Sequence, residues 1–321
     1  MDFRVNQNSK LKRFLETLRR DWALYVLLIP IIVFFVMWRY KPMGGVLVAF
    51  KKYKVIDGVL GSDFAGFYYI RELMFGSASR EFWRALRNTF MLNIYGILFG
   101  FPAPIILALL FSEIKNVAYR SVTQTFSYLP KFISEVIITT LIAMLVSNSH
   151  GQVGIVAHLL QMIGVIGPDA KLLYEPGYFR AIYIVSDIWV GAGYGSIVYF
   201  AAIMGIPPSN YEAARVDGAS KFDQIRYITM PGMASTLTIM LILRIGSMLA
   251  VGFEKVFLLY NASIYETADV LETFIYRLGM GETAVNPSIA TAAGLFNSLV
   301  AMVLVLGANY ISRKISETSL F

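Results

Sequence analysis

Five apolar runs of roughly 17 to 24 residues and one shorter run dominate this sequence, and they constrain everything else about it. A bilayer core about 30 Å thick needs roughly 20 apolar residues for each helical crossing. The first run, WALYVLLIPIIVFFVMW at 22–38, is closed by tryptophan at both ends. Indole rings favour the headgroup level, so both read as interface anchors. Further spans are predicted at 90–111, 133–146, 181–204, 233–253 and 289–311. The run at 133–146 is short. Gly100, Pro102 and Pro104 are expected to kink the second span. The fold class that follows is an all-α integral membrane protein with about six transmembrane helices.

The connecting segments set the organisation. A basic segment at 1–21 precedes the first span, a long outer loop covers 39–88, and five spans fill 89–311. A loop at 205–232 lies inside that unit, and a short tail follows at 312–321. The apolar piece at 153–166 is too short and too polar-flanked to cross. No small-residue cleavage site follows 22–38, so this run reads as retained rather than as a removed signal. With both termini inside, the inner face holds Arg4, Lys10, Arg19, Arg20, Lys115, Arg120, Lys131, Arg215, Lys221, Arg226, Arg313 and Lys314 among others. The two later outer loops hold only Lys171, Arg180, Lys255 and Arg277. That matches the positive-inside bias. The first outer loop, with nine Lys and Arg, departs from it.

Composition then removes function classes. Only 15% of the residues are charged, against about a quarter in a soluble domain, so a net charge of +7 points to membrane flanks rather than to nucleic acid. There is no cysteine, and His150 and His158 are the only histidines, at a spacing that suits no metal motif. No metal site is expected. No G-x-x-x-x-G-K-[ST] occurs, so no phosphate cradle is written into the chain. The cluster Gly191-Ala192-Gly193-Tyr194-Gly195 sits in an apolar run. It reads as small residues that let helices pack closely, as do Gly96 and Gly100.

The most informative stretch is GIPPSNYEAARVDGASKFDQIRYITMP at 205–231. Pro207 and Pro208 end the preceding helix. Ser209 with Glu212 has the spacing of a capping box, and Ser220 with Asp223 resembles a second helix start. Gly218 suits the left-handed residue that closes a helix. Phe222, Ile225 and Ile228 share one helical face, and Pro231 stops the run. The prediction is helix, sharp turn, helix. On shape alone, this could merely connect two spans.

The exact residues change that judgement. Glu212-Ala213-Ala214, Gly218, Ile228 and Pro231 resemble the EAA signature of the permease subunits of binding-protein-dependent ABC importers, with Met230 where leucine is usual. Methionine is a volume-conserving replacement. The likeness covers most of the chain. YKPMGGVLVAFKKY at 40–53, SYLPKFISEVI at 127–137 and VGFEKVFLLYN at 251–261 look like the subgroup that carries complex glycans and their oligosaccharides.

The resemblance implies a type I importer permease fold in a bacterial cytoplasmic membrane. It implies a pore shared with a second homologous permease, two ATP-binding cassette subunits inside, and a solute-binding protein outside. ATP and Mg would sit on the ATPases, with no cofactor on this chain. Glu212, Ala213, Ala214, Gly218, Ile228 and Pro231 would form the coupling helix. Glu212 would cap it and meet a basic group on the ATPase. The cargo implied is an oligosaccharide, an acidic, alginate-like one included.

Charges inside spans are costly and face a cavity or a partner. Asp187 in the fourth span and Arg244 in the fifth either pair with each other or the second subunit, or line the route of a polar solute. Arg244 has the fork geometry that holds a carboxylate. Asn93 and Asn297 suit interhelical hydrogen bonds as well as a pathway. Tyr194 and Tyr199 suit packing as well as stacking on sugar rings. A gradient-driven secondary transporter, the alternative, would call for paired intramembrane carboxylates and inverted repeats. The sequence has one intramembrane Asp and no visible repeat. A membrane enzyme would need a clustered polar site, which no motif here supplies.

Overall fold

The computed structural model describes residues 17, 19–149, 152–281 and 285–315. All of 1–16, Leu18, His150, Gly151, 282–284 and the tail from 316 lie outside them. The helices follow the apolar runs, with lengths set by glycine, proline and capping residues. Helix α1, Trp22–Phe50, is apolar on every side, and its apolar window is buried nowhere in the chain. It meets the rest at its far end, where Val48 and Ala49 are buried. A short antiparallel pair follows, β1 (Lys51–Lys52) with β2 (Asp63–Phe64), Lys51 opposite Phe64. Helix α2 spans Tyr68–Phe75.

Helix α3, Ser79–Glu113, is 35 residues long, about 50 Å at 1.5 Å per residue, so part of it stands clear of a bilayer core. The expected kink is absorbed by a wide turn at Gly96–Gly100. There the Phe101 N–H reaches the Gly96 carbonyl at 2.9 Å, and the helix continues through Pro102.

Helices α4 (Val117–Phe132) and α5 (Glu135–Val146) meet at 100°. Asn116 caps the first and Ser134 the second, each side-chain oxygen accepting a backbone N–H. A two-residue hairpin, β3 (Asn148–Ser149) with β4 (Gln152–Val153), leads to α6, Ile155–Met162.

Helix α7, Pro176–Met204, is the central post, packed along the Pro102–Glu113 half of α3. Helix α8, Pro208–Val216, and α9, Lys221–Gly232, form the helix pair beyond its end. Helix α10, Ala234–Gly246, leaves α9 at 65°. It is followed by α11 (Phe253–Leu259), α12 (Leu271–Met280) and α13 (Pro287–Ile315). Among the described residues, four helices are long and apolar enough to cross a membrane, or up to six if each bent pair counts as one span.

Several boundaries differ from the sequence expectation. The loop at 39–88 shrinks to the segment between Phe50 and Ser79, because α1 and α3 continue past their apolar runs. The predicted span at 133–146 holds one helix, α5, which is too short to cross alone and joins α4 at a sharp bend, because capping serine at 134 restarts the chain in a new direction. The fifth helix stops at Gly246 instead of 253. Residues 247–252 leave the helix, and Gly252 takes φ +77°, a left-handed conformation that favours glycine. Apolar periodicity reads the same on both sides of such a break. The last helix runs to Ile315, past the expected start of the tail at 312.

Of the clustered glycines, Gly193 packs α7 directly on α4. A Cβ there would drive into the Ser127 carbonyl. Gly195 faces Pro104 Cβ at 3.3 Å, whereas Gly191 and Gly100 face open space. Gly193→Ala should destabilise the protein by about 1–3 kcal/mol through overpacking against backbone. Thermal unfolding of the purified protein measures this, with Gly191→Ala as a near-neutral control.

Candidate functional site

The pair α8–α9 is built as a stiff knob. Gly218 adopts φ +78° between the helices, so the tight turn falls on the residue expected to make it. Ser220 starts α9 with a full capping box. Its Oγ accepts from Asp223 N–H at 3.3 Å, and Ser220 N–H donates to the Asp223 carboxylate at 3.1 Å. The Ser220 hydroxyl also donates to the Asp223 carboxylate, and this bond, together with the one from Ser220 N–H, holds the Asp223 carboxyl below its ordinary range. This contribution to the cap is present above the ordinary carboxylate range and is lost as pH falls through the lowered value. The Tyr211 hydroxyl meets Thr229 Oγ1 at 3.0 Å and ties the two helices together. Lys221 pairs with Glu113 at 2.6 Å, joining the knob to the end of α3.

Two sequence expectations are corrected here. Ser209 and Glu212 form no capping box, because α8 begins at Pro208 with Pro207 as its cap and no side-chain cap bond. A proline first turn removes the N–H groups that such a box would satisfy. Pro231 does not stop α9 either. It sits inside the last turn, and the bend falls at Met233.

The Glu212 carboxylate is consequently free of any hydrogen bond or ion pair among the described residues. Glu212, Ala213, Gly218 and Pro231 are exposed, and Ala214 and Ile228 are half-buried. Beside them stand Val216, 89% exposed, and Phe222, 69% exposed. An apolar tip of this kind is unfavourable in water and suits a partner's groove. Val216 went unsingled in the sequence, although an exposed valine at the end of a polar helix was there to be read.

Inside the bundle, Asp187 of α7 and Arg244 of α10 line one cavity of about 180 Å³ with Gly100, Phe101, Pro104 and Gly191. They share the space without forming an ion pair. The Arg244 guanidinium lies against Gly96, where a Cβ would stand 2.6 Å from Nη2, and it donates no hydrogen bond within the described residues. Asp187 turns instead to Lys255 Nζ, at 3.9 Å. Lys255 is not the outer-loop charge expected from its position. The break after Gly246 returns the chain into the bundle, and α11 packs Lys255 inward beside α5.

The other candidates lie elsewhere. Asn93 is buried and donates to the Thr89 carbonyl of its own helix at 2.9 Å, a structural role. Asn297 keeps a buried Oδ1 without a partner on α13. Tyr194 sets its ring edge-on to Phe132 at 5.9 Å and is 47% exposed. Tyr199 is packed in the core with Ala108 and Ile203.

Residues 100–317 match the family of binding-protein-dependent transport system inner membrane components. The chain belongs to that family. It is the integral membrane permease component of an ABC importer, and it has the type I permease fold. The permease is 38% identical to protein LplB of Bacillus subtilis (strain 168), over 96% of this chain and 94% of the relative. It is 34% identical to the polygalacturonan/rhamnogalacturonan transport system permease protein YteP of the same organism, over 100% and 97%. Among solved structures, it is similar to a chain of a bacterial ABC transporter involved in the import of the acidic polysaccharide alginate. That match has a TM-score of 0.84 and 44% identity, and covers 95% of this permease and 99% of that chain. A chain of a bacterial alginate ABC transporter in complex with an alginate pentasaccharide-bound periplasmic protein is likewise similar, with a TM-score of 0.84 and 44% identity over 96% of this permease and 100% of that chain.

Proposed function

We propose that this permease is half of a pore that carries an acidic oligosaccharide into the cytoplasm of a bacterium, driven by separate ATPases that seat the α8–α9 knob. The observation that carries the coupling is the tip itself: Glu212 unpartnered, with Val216 and Phe222 exposed beside it. The cargo reading rests on the relatives, whose names include polygalacturonan and alginate, and on Arg244 facing a cavity with an unused guanidinium fork.

In this reading the knob, both termini and the ATPases are cytoplasmic. A second, homologous permease completes the pore, and a solute-binding protein delivers cargo from the other side. ATP and Mg stay on the ATPases, whose closure moves the knob. The lipid-facing helices hold the assembly in the cytoplasmic membrane. Asp187 and Arg244 line the route; Tyr194 and Asn297 remain pathway candidates only where they face the second subunit.

The test is co-purification of the ATPase with this chain from membranes, with and without Glu212→Arg. The intact knob retains the ATPase, and the reversed charge loses most of it. Equal recovery with both forms, or none with either, would refute the coupling.

A further inference from the structure

The cavity contains an acid, Asp187, on the route proposed for an anionic solute. An uncompensated carboxylate there would repel the uronates it is meant to pass. The structure shows what stands behind it. Lys255 reaches Asp187 Oδ1 at 3.9 Å; its side chain is 5% exposed, whereas that of Asp187 is 45% exposed. The ammonium donates to the Tyr183 carbonyl at 3.4 Å and lies 4.8 Å from the centre of the Tyr183 ring. The Tyr183 hydroxyl in turn donates to the Val251 carbonyl, fastening the chain just before Gly252 turns into α11. The cation is thereby fixed on the protein side, while its partner faces the cavity. Glu135 and Lys131, the other charges whose fields reach Lys255, are opposite in sign.

We propose that Lys255 is a specificity-determining residue of the pathway, neutralising Asp187 from behind. Asp187 can then accept hydrogen bonds from sugar hydroxyls without repelling sugar carboxylates, and the cavity keeps the single positive charge of Arg244. The proposal rests on the reading of the chain as a pore for an acidic oligosaccharide. It assigns Lys255 no contact with the solute.

The experiment uses the complete transporter in proteoliposomes, with ATP-driven uptake of a uronate oligosaccharide as the readout and subunit stoichiometry checked in every variant. Lys255→Gln should lower uptake at least tenfold. Asp187→Asn should retain at least half, because the amide oxygen still accepts from sugar hydroxyls and carries no charge that would need neutralising. The double variant Asp187→Asn/Lys255→Gln should return to within about threefold of wild type. The asymmetry is decisive, since a pair that merely braces α7 against α11 would suffer equally from either single change.

Normal uptake by Lys255→Gln overturns the proposal. So does equal loss in both single variants, or failure of the double variant to recover. A Lys255→Gln complex that falls apart also overturns it if the double variant falls apart too. No ATP-driven uptake by the wild-type complex refutes the underlying function, a result distinguishable from all of these.

Discussion

Asp269→Ala should be the most damaging single change in this protein, lowering its stability by about 3–5 kcal/mol. Asp269 is fully buried and receives both arms of the Arg277 fork, at 2.9 and 2.8 Å. Thr273 Oγ1 donates to it at 3.0 Å, and Arg84 of α3 approaches to 3.5 Å. Asn88 donates to the Asp269 and Glu266 carbonyls and accepts from Arg180 of α7 at 3.0 Å. Arg277 also reaches Glu81 at 3.3 Å and lies 4.9 Å from the centre of the Tyr265 ring. The Asp269 carboxylate thus ties α3 to α12, while Asn88 links α3 to α7 and to the Asp269 backbone. Removing it leaves Arg84 without its counter-charge and Arg277 with only the contact to Glu81. Thermal unfolding in detergent should show the loss, with Asp269→Asn intermediate because one carbonyl acceptor survives. A melting curve unchanged from wild type for Asp269→Ala would show that the network contributes nothing to stability.

Arg244→Gln should have the largest effect on transport that leaves assembly intact. A bidentate, charge-assisted contact is worth about 1.5–3 kcal/mol, which is roughly a tenfold to hundredfold loss in uptake of an acidic oligosaccharide. The guanidinium has no partner within the described chain, so its removal strands no buried anion and the fold should survive. Gly96→Ala offers a second route to the same result, because its Cβ would stand 2.6 Å from Arg244 Nη2 and displace the fork. Uptake assays on the reconstituted complex read both. Unchanged uptake with Arg244→Gln would remove the carboxylate-binding role while leaving the coupling untouched.

The parts legible in the sequence were those written locally. Apolar runs announced the long helices, Gly218 announced its turn, and Ser220 with Asp223 announced the start of α9. The misreadings arose where one local signal has two structural outcomes. Ser209 and Glu212 have capping-box spacing, but the proline pair ahead of them already supplies the helix start. The run through 233–253 is apolar whether it crosses or turns back, and only the left-handed Gly252 decides. Lys255 illustrates the cost. Next to Glu254 after the last apolar run, it read as a loop residue until the fold carried it to Asp187, 68 positions earlier in the chain. The Asp269 network was invisible for the same reason, since Asn88 and Asp269 are separated by 181 positions.

The corner at Met233 has a mechanical consequence. Helices α9 and α10 are consecutive, and their 65° bend is clamped where Met233 packs fully buried with Ala108, Tyr199 and Ile203. Arg244 lies about 15 Å along the second arm. A swing of about ten degrees about that corner carries it some 2.5 Å, on the order of a hydrogen-bond length. Under the proposed function, the knob and Arg244 are the handle and the bit of one crank, so that turning the first would shift the second directly.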